Sequence, residues 1–213
     1  MVELLHTDCM AYMATLPDKA FDLAICDPPY GINIIGNGQV GGEKCAKVSQ
    51  YKKSQWDVSI PSAEYFNELR RISKHQIIWG GNYMINHLTN TPCFIVWDKN
   101  NTGNFADAEL AWTSFSSPTR IFKFTWNGML QENMNNKETR IHPTQKPIQL
   151  YKWLLKNYAK EGDRILDTHL GSGSSAIAAF DGGFDFVGCE IDKDYFDAAK
   201  KRFDIHCMQQ KLF

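Results

Sequence analysis

No pair of cysteines in this 213-residue sequence has C-x-x-C spacing; the six present (Cys9, Cys26, Cys45, Cys93, Cys189 and Cys207) are scattered, several of them inside apolar runs. Cysteine in that setting acts as a small hydrophobe, which argues against a disulfide scaffold or zinc module and for a reducing, cytoplasmic compartment. The Cys and His positions also lack zinc-ligand spacing, so no metal is expected. No run approaches the roughly 18 apolar residues of a membrane span. The opening Met1-Val2-Glu3-Leu4-Leu5-His6 has no basic stretch ahead of a long apolar segment, so no cleaved signal is expected either. Internal repeats and low-complexity tracts are missing. The formal net charge is only −1, which excludes a protein that coats phosphate with a broad basic surface. A chain of this length buries enough apolar surface to stand without staples, as one α/β domain or a domain with an inserted lobe.

What is present begins with Asp27-Pro28-Pro29-Tyr30, at the end of the apolar run Phe21-Asp22-Leu23-Ala24-Ile25-Cys26. Each proline lacks an N–H and pushes the residue before it to an extended conformation, so the strand must turn sharply there. Such a turn leaves carbonyl oxygens unpaired beside the Asp27 carboxylate and brings the Tyr30 ring within reach. Two acceptors and a stacking face suit an amino group on a planar base. The plain alternative is a Pro-Pro strand end with Asp27 capping a turn.

A second constellation lies near the other end. Arg164-Ile165-Leu166-Asp167 reads as a short buried strand, Thr168-His169-Leu170-Gly171-Ser172-Gly173 as a tight turn, and a helix is expected from Ser174 through Ala179. A further strand, Phe184 to Cys189, delivers Glu190 at its carboxyl end, where an acid can accept from ribose hydroxyls. Free N–H groups at the helix start favour an anion. The stretch Gly171-x-Gly173-x-x-Ala176 also fits a dinucleotide fingerprint, which keeps a nicotinamide or flavin oxidoreductase in play. Only one helix, about Asp194 to Phe203, follows Glu190, so the remaining strands must come from the N-terminal half.

The tetrad resembles the catalytic motif of amino-directed, S-adenosylmethionine-dependent DNA methyltransferases, and its leading Asp is typical of the adenine-N6 enzymes. The order of motifs, catalytic before cofactor, is similar to the β class, and the resemblance covers nearly the whole chain. It implies a Rossmann-like class I methyltransferase fold with circularly permuted motifs: a mixed, mostly parallel sheet with helices on both faces. Carried over by residue, Asp167-Thr168-His169-Leu170-Gly171-Ser172-Gly173 stands where the family has D-P-F-x-G-S-G, with Thr168 and His169 departing from Pro-Phe. Glu190-Ile191-Asp192 matches E-x-D, His6-Thr7-Asp8-Cys9 resembles G-D-C, and His142-Pro143-Thr144-Gln145-Lys146-Pro147 matches H-P-x-x-K-P. The resemblance therefore implies Asp27, Pro28, Pro29 and Tyr30 as catalytic. It implies Asp8, Cys9, Asp27, His142, Lys146, Asp167, His169, Gly171, Ser172, Gly173 and Glu190 around the cofactor. Each keeps a bland reading, Asp8 as a helix cap, His142 as a loop histidine and Lys146 as a surface cation among them.

Between the motifs, a helix from Ala63 to Ser73 and strands at Gln76–Trp79, Cys93–Trp97, Glu109–Ser114 and Arg120–Trp126 are expected. Residues 31–56 lack periodicity, and the glycines and Lys44, Lys47, Lys52 and Lys53 there suggest a mobile loop touching DNA phosphates. The resemblance puts a small target-recognition region at 98–140, with Arg120, Lys123 and Arg140 as further DNA contacts. The expected partner is double-stranded DNA, from which the base is flipped; monomer and homodimer are both open. Rivals are cytosine-N4 transfer, usually marked by Ser in place of Asp27, cytosine-C5 attack from Pro92-Cys93, and an inactive homologue that only binds DNA.

Overall fold

The computed structural model describes residues 1–34, 39–40, 49–50, 57–101, 106–127 and 130–210. The eight strands of the main sheet are β1 (Val2–His6), β2 (Phe21–Cys26), β3 (Ser73–Trp79), β4 (Phe94–Asp98), β5 (Ala108–Thr113), β6 (Arg120–Lys123), β7 (Arg164–Asp167) and β8 (Asp185–Glu190). They lie in the order β1-β8-β7-β2-β3-β5-β4-β6. Only β5 runs against its neighbours in this sheet, pairing antiparallel with both β3 and β4. The two ends of the chain interlock at the centre, where β7 pairs with β2 through Ile165 opposite Leu23 and Leu166 opposite Ala24. The Asp22 carboxylate reinforces that seam, accepting from the Arg164 N–H at 2.9 Å and from Lys74 at 2.6 Å.

Strand residues alternate between faces, and each face is covered by helices. Leu23, Ile25, Ile165 and Phe186 join the core formed with α3 (Ile148–Tyr158) and α4 (Ser174–Asp181). Ala24, Cys26, Leu166 and Val187 join the opposite core, formed with α1 (Cys9–Ala14) and α2 (Ala63–Ile72). In α2 the buried side chains Tyr65, Phe66, Leu69 and Ile72 fall at helical spacing on one stripe. Burying each contributes about 1.5–3 kcal/mol before entropy is charged against it. A fifth helix, α5 (Lys193–Gln210), adds the exposed i,i+4 pairs Lys193–Asp197 and Lys200–Asp204.

Four elements differ from the sequence expectation. Helix α3 was not foreseen, although Leu150, Tyr151, Leu154 and Leu155 mark its buried face. Strand β3 starts at Ser73 because α2 runs into it without a loop, the Ser73 hydroxyl donating back to the Leu69 carbonyl at 2.5 Å. The strand expected over Arg120–Trp126 stops at Lys123. Trp126 turns inward, donating its indole N–H to the Gln145 carbonyl at 2.9 Å, and starts a two-residue ladder, Trp126–Asn127 against Leu130–Gln131. Helix α5 continues well past Phe203. Residues 108–113 and 120–123, inside the stretch the resemblance assigns to target recognition, build the main sheet. Of the expected loop 31–56, residues 35–38, 41–48 and 51–56 lie outside the described residues, and Lys44, Lys47, Lys52 and Lys53 with them.

Candidate active site

The carboxyl ends of β1, β8, β7, β2 and β3 share one edge of the sheet, with His6 beside Glu190, Asp167 beside Gly188 and Cys26 beside Ile78. Ligands of open α/β sheets bind outside that edge, where the strand order reverses. Here the edge opens into a cavity of about 430 Å³. Its lining brings together Asp27, Pro29, His142, Lys146, His169, Gly171, Ser172 and Glu190, all singled out from sequence. It adds Tyr151, Asp192 and Tyr195, which were not expected as site residues, and Thr144 and Gln145 from within the H-P-x-x-K-P match.

The floor is the glycine turn. Gly171 and Gly173 have φ of 52° and 73°, in the left-handed region where glycine is favoured. Glu190 ties turn to strand: one carboxylate oxygen accepts from the Gly171 N–H and the other from the Asp192 N–H, both at 2.9 Å. Burial pushes its carboxyl up against these two bonds. Asp167 is buried beneath the turn, accepting from the His169 N–H at 3.0 Å and the Ser175 hydroxyl at 2.6 Å. Burial and the nearby Asp27 and Glu190 push Asp167 up to about 7. From α5, Arg202 donates to the Ser172 carbonyl and to Glu138, which in turn accepts from the Ile148 N–H at the start of α3. The two histidines on the wall are neutral at physiological pH. Burial, with Lys146 nearby, holds His142 down at about 3, and burial holds His169 at about 4.

The roof is formed by Asp27 and Pro29 of the tetrad. The Tyr30 hydroxyl donates to one oxygen of Asp27 at 2.8 Å, and the Lys146 ammonium sits 2.5 Å from the other. Lys146 is therefore no surface cation. It also donates to the Tyr30 hydroxyl at 3.1 Å and lies 3.2 Å from Glu109 on β5. Burial raises the Asp27 carboxyl, Lys146 opposing it. Glu109 goes the other way: burial pushes it up, but Lys146 and Lys99 together outweigh that and hold it at about 2. Sequence pattern alone gave Glu109 no role, because it is a polar residue in a strand with no motif around it. Asp57 is buried and accepts from the backbone N–H groups of Tyr30, Gly31 and Ile34 at 2.7, 2.9 and 3.1 Å. It fixes the exit from the tetrad.

Tyr30 stacks on Tyr83, centroids 5.1 Å apart, and its ring edge rests over Gly80. A Cβ on Gly80, whose φ is +68°, would meet the Tyr30 ring at 2.2 Å. The Gly80→Ala variant should therefore lose roughly 1–2 kcal/mol of stability to the left-handed alanine, and kcat/KM should fall because the Tyr30 ring must move. Steady-state kinetics beside circular dichroism checks this.

Other expected residues fall elsewhere. Asp8 caps α1, accepting from the Met10 N–H at 2.7 Å; Asp8, Cys9, Pro28, Tyr30, Asp167 and Gly173 do not line the cavity. Arg120 and Lys123 stand at opposite ends of the edge strand β6, about 10 Å apart at strand rise, with Lys123 on the site's edge and 3.8 Å from Asp98. The Arg140 guanidinium covers the Trp126 ring at 4.6 Å. Cys93 is buried just before β4, at the end of the sheet away from the cavity, which removes the geometry for covalent attack on a ring carbon.

A mostly parallel sheet whose carboxyl edge joins an Asp-Pro-Pro-Tyr turn to a glycine loop defines an amino-directed methyltransferase. Residues 87–201 match the model of the DNA methylase family, which groups N6 and N4 enzymes, and the chain belongs to this family. The Type II methyltransferase M2.DpnII of Streptococcus pneumoniae is 25% identical over 246 residues, covering 94% of this chain and 89% of that one. M.HinfI of Haemophilus influenzae is 25% identical over 246 residues, covering 93% and 67%. Among solved structures, M1.HpyAVI in complex with SAM superposes with a TM-score of 0.59 at 21% identity, covering 95% of this chain and all of that one. The PvuII DNA methyltransferase, cytosine-N4-specific, gives 0.62 at 11%, covering 95% and 86%. At these identities the superpositions establish the fold.

Proposed function

We propose that the protein transfers a methyl group from S-adenosylmethionine to the N6 amino group of adenine in double-stranded DNA. The observation that carries this is Asp27, bonded to Tyr30 and lining a cavity whose floor is the Glu190-braced glycine turn. The cavity fits the cofactor chemically: carboxylates of Glu190 and Asp192 suit hydroxyls and cationic groups, and uncharged His142 and His169 add no positive charge. When bound there, S-adenosylmethionine supplies an electrophilic methyl on a sulfonium. Asp27 accepts an N–H of the base amino group, which favours a pyramidal nitrogen with its lone pair free for in-line transfer. The amino nitrogen must then shed a proton, and a carboxylate raised by burial is suited to take it. Tyr30 offers a stacking face that offsets part of the few kcal/mol needed to unstack the base.

Cytosine-N4 transfer is the second reading, since an N4 enzyme shares the fold; the acid at position 27 favours adenine. The relatives named Type II methyltransferases support a modification role beside a restriction enzyme. Among the described residues no helix is long and apolar enough to cross a membrane, and the reading puts the enzyme with DNA in the cytoplasm. Target recognition falls to the parts of 98–140 outside the sheet. The test is twofold. Calorimetry should detect S-adenosylmethionine binding but no tight binding of a nicotinamide dinucleotide, and labelled methyl should pass to DNA lacking adenine methylation. Dinucleotide binding without transfer would favour an oxidoreductase.

Lys44, Lys47, Lys52 and Lys53, outside the described residues, carry the phosphate contacts in this proposal. Replacing all four with Gln should raise the KM for DNA and flatten its salt dependence, leaving cofactor affinity and site preference unchanged. A wild-type salt slope would move the DNA cleft toward Lys123.

A further inference from the structure

Both oxygens of Asp27 are already engaged in this structure, one by the Tyr30 hydroxyl at 2.8 Å and one by Lys146 at 2.5 Å. Each oxygen keeps a further lone pair, but the ammonium claims much of the carboxylate's charge, so a base amino group competes with Lys146 for Asp27. Lys146 is nearly fully buried and cannot simply swing into water, where its charge would be solvated. Among the described residues one other carboxylate lies within reach of it, Glu109 at 3.2 Å, projecting from the antiparallel strand β5 and held on its far side by Lys99.

We infer that Glu109 is a positioning residue that receives the Lys146 ammonium when Asp27 turns to the substrate amino group. This rests on the methyltransferase reading above and deepens it. The groups facing Lys146 are Asp27 and Tyr30 from the tetrad, Glu109 from β5, His142 from its own segment, and the ring of Trp79 from β3 at 5.5 Å. Two carboxylates share one buried ammonium, so Lys146 can shift between them at constant net charge: nearer Asp27, as in this structure, or nearer Glu109, which leaves more of the Asp27 carboxylate to the base. Lys99 keeps Glu109 from being an isolated buried charge when Lys146 leaves it. In the wild type, Asp27 and Glu109 outweigh burial and keep Lys146 charged over the working range.

The Glu109→Gln variant removes the second arrangement with little change in shape. Lys146 then stays on Asp27, and kcat should fall by about ten- to a hundredfold while S-adenosylmethionine affinity changes little; the melting temperature should fall, since Lys99 and Lys146 lose a shared anion. The distinguishing readout is pH. With one of its two anions gone, buried Lys146 loses its proton at lower pH, so the ratio of variant to wild-type kcat should rise from pH 7 to 10, the ratio cancelling groups common to both enzymes such as Asp167. In a Lys146→Met background, Glu109→Gln should cost nothing further, because it acts through the lysine. A loss that is the same at every pH and persists in the Lys146→Met background, or no loss at all, overturns the inference. Wild-type enzyme that fails to methylate DNA would instead overturn the function on which it rests.

Discussion

Asp27→Ala should cut methyl transfer by about a hundred- to a thousandfold while S-adenosylmethionine binding largely survives, the loss expected when a preorganised group acting in the transition state is removed. The substitution deletes the acceptor for the base amino group and the partner of two buried groups, the Tyr30 hydroxyl and Lys146. Glu109 remains for Lys146 at 3.2 Å, so the buried cation is not orphaned and the fold should hold. Isothermal titration of the cofactor next to single-turnover methylation separates the two effects. Tyr30→Ala should be milder, since one stacking face is worth about 1–3 kcal/mol. Full activity in Asp27→Ala would remove the tetrad from the chemistry.

Glu190→Ala should weaken S-adenosylmethionine binding by roughly ten- to a hundredfold, the worth of hydrogen bonds made by a charged group. The carboxylate does two things at once. Its lone pairs beyond those accepting from Gly171 and Asp192 face the cavity as acceptors, and those two bonds hold the glycine turn against the end of β8. A Gln substitution keeps size but replaces one acceptor with a donor, which must clash with one of the two N–H groups. Gln should therefore be little better than Ala. Cofactor affinity measured by calorimetry decides it, and an unchanged value in either variant would take Glu190 out of the site.

Much of this was legible in the sequence because its physics is local. Prolines at 28 and 29 end a strand whatever surrounds them, and Gly171 and Gly173 mark positive φ by composition. The strand order of motifs then tells which halves must meet, and Ile165 opposite Leu23 is where they do. What escaped was set by partners distant in sequence. Glu109 matters only because β5 inserts between β3 and β4 and carries it to Lys146. Asp57 reads as a loop charge until its carboxylate is found against the Tyr30 and Gly31 backbone. Helix α3 hid behind the proline-rich His142–Pro147 segment, although its Leu150, Tyr151, Leu154 and Leu155 stripe was there to be read. Asp8 went the other way, since its capping bond to Met10 is the common use of an acid after a strand.

The central claim is that this site methylates an exocyclic amino group of adenine. DNA methylated by the wild-type protein with isotopically labelled S-adenosylmethionine should be digested to deoxynucleosides and resolved by mass spectrometry. Label is expected in N6-methyldeoxyadenosine alone, abolished by Asp27→Ala. Label in N4-methyldeoxycytidine or 5-methyldeoxycytidine, or label in N6-methyldeoxyadenosine that persists in the Asp27→Ala variant, would contradict the claim.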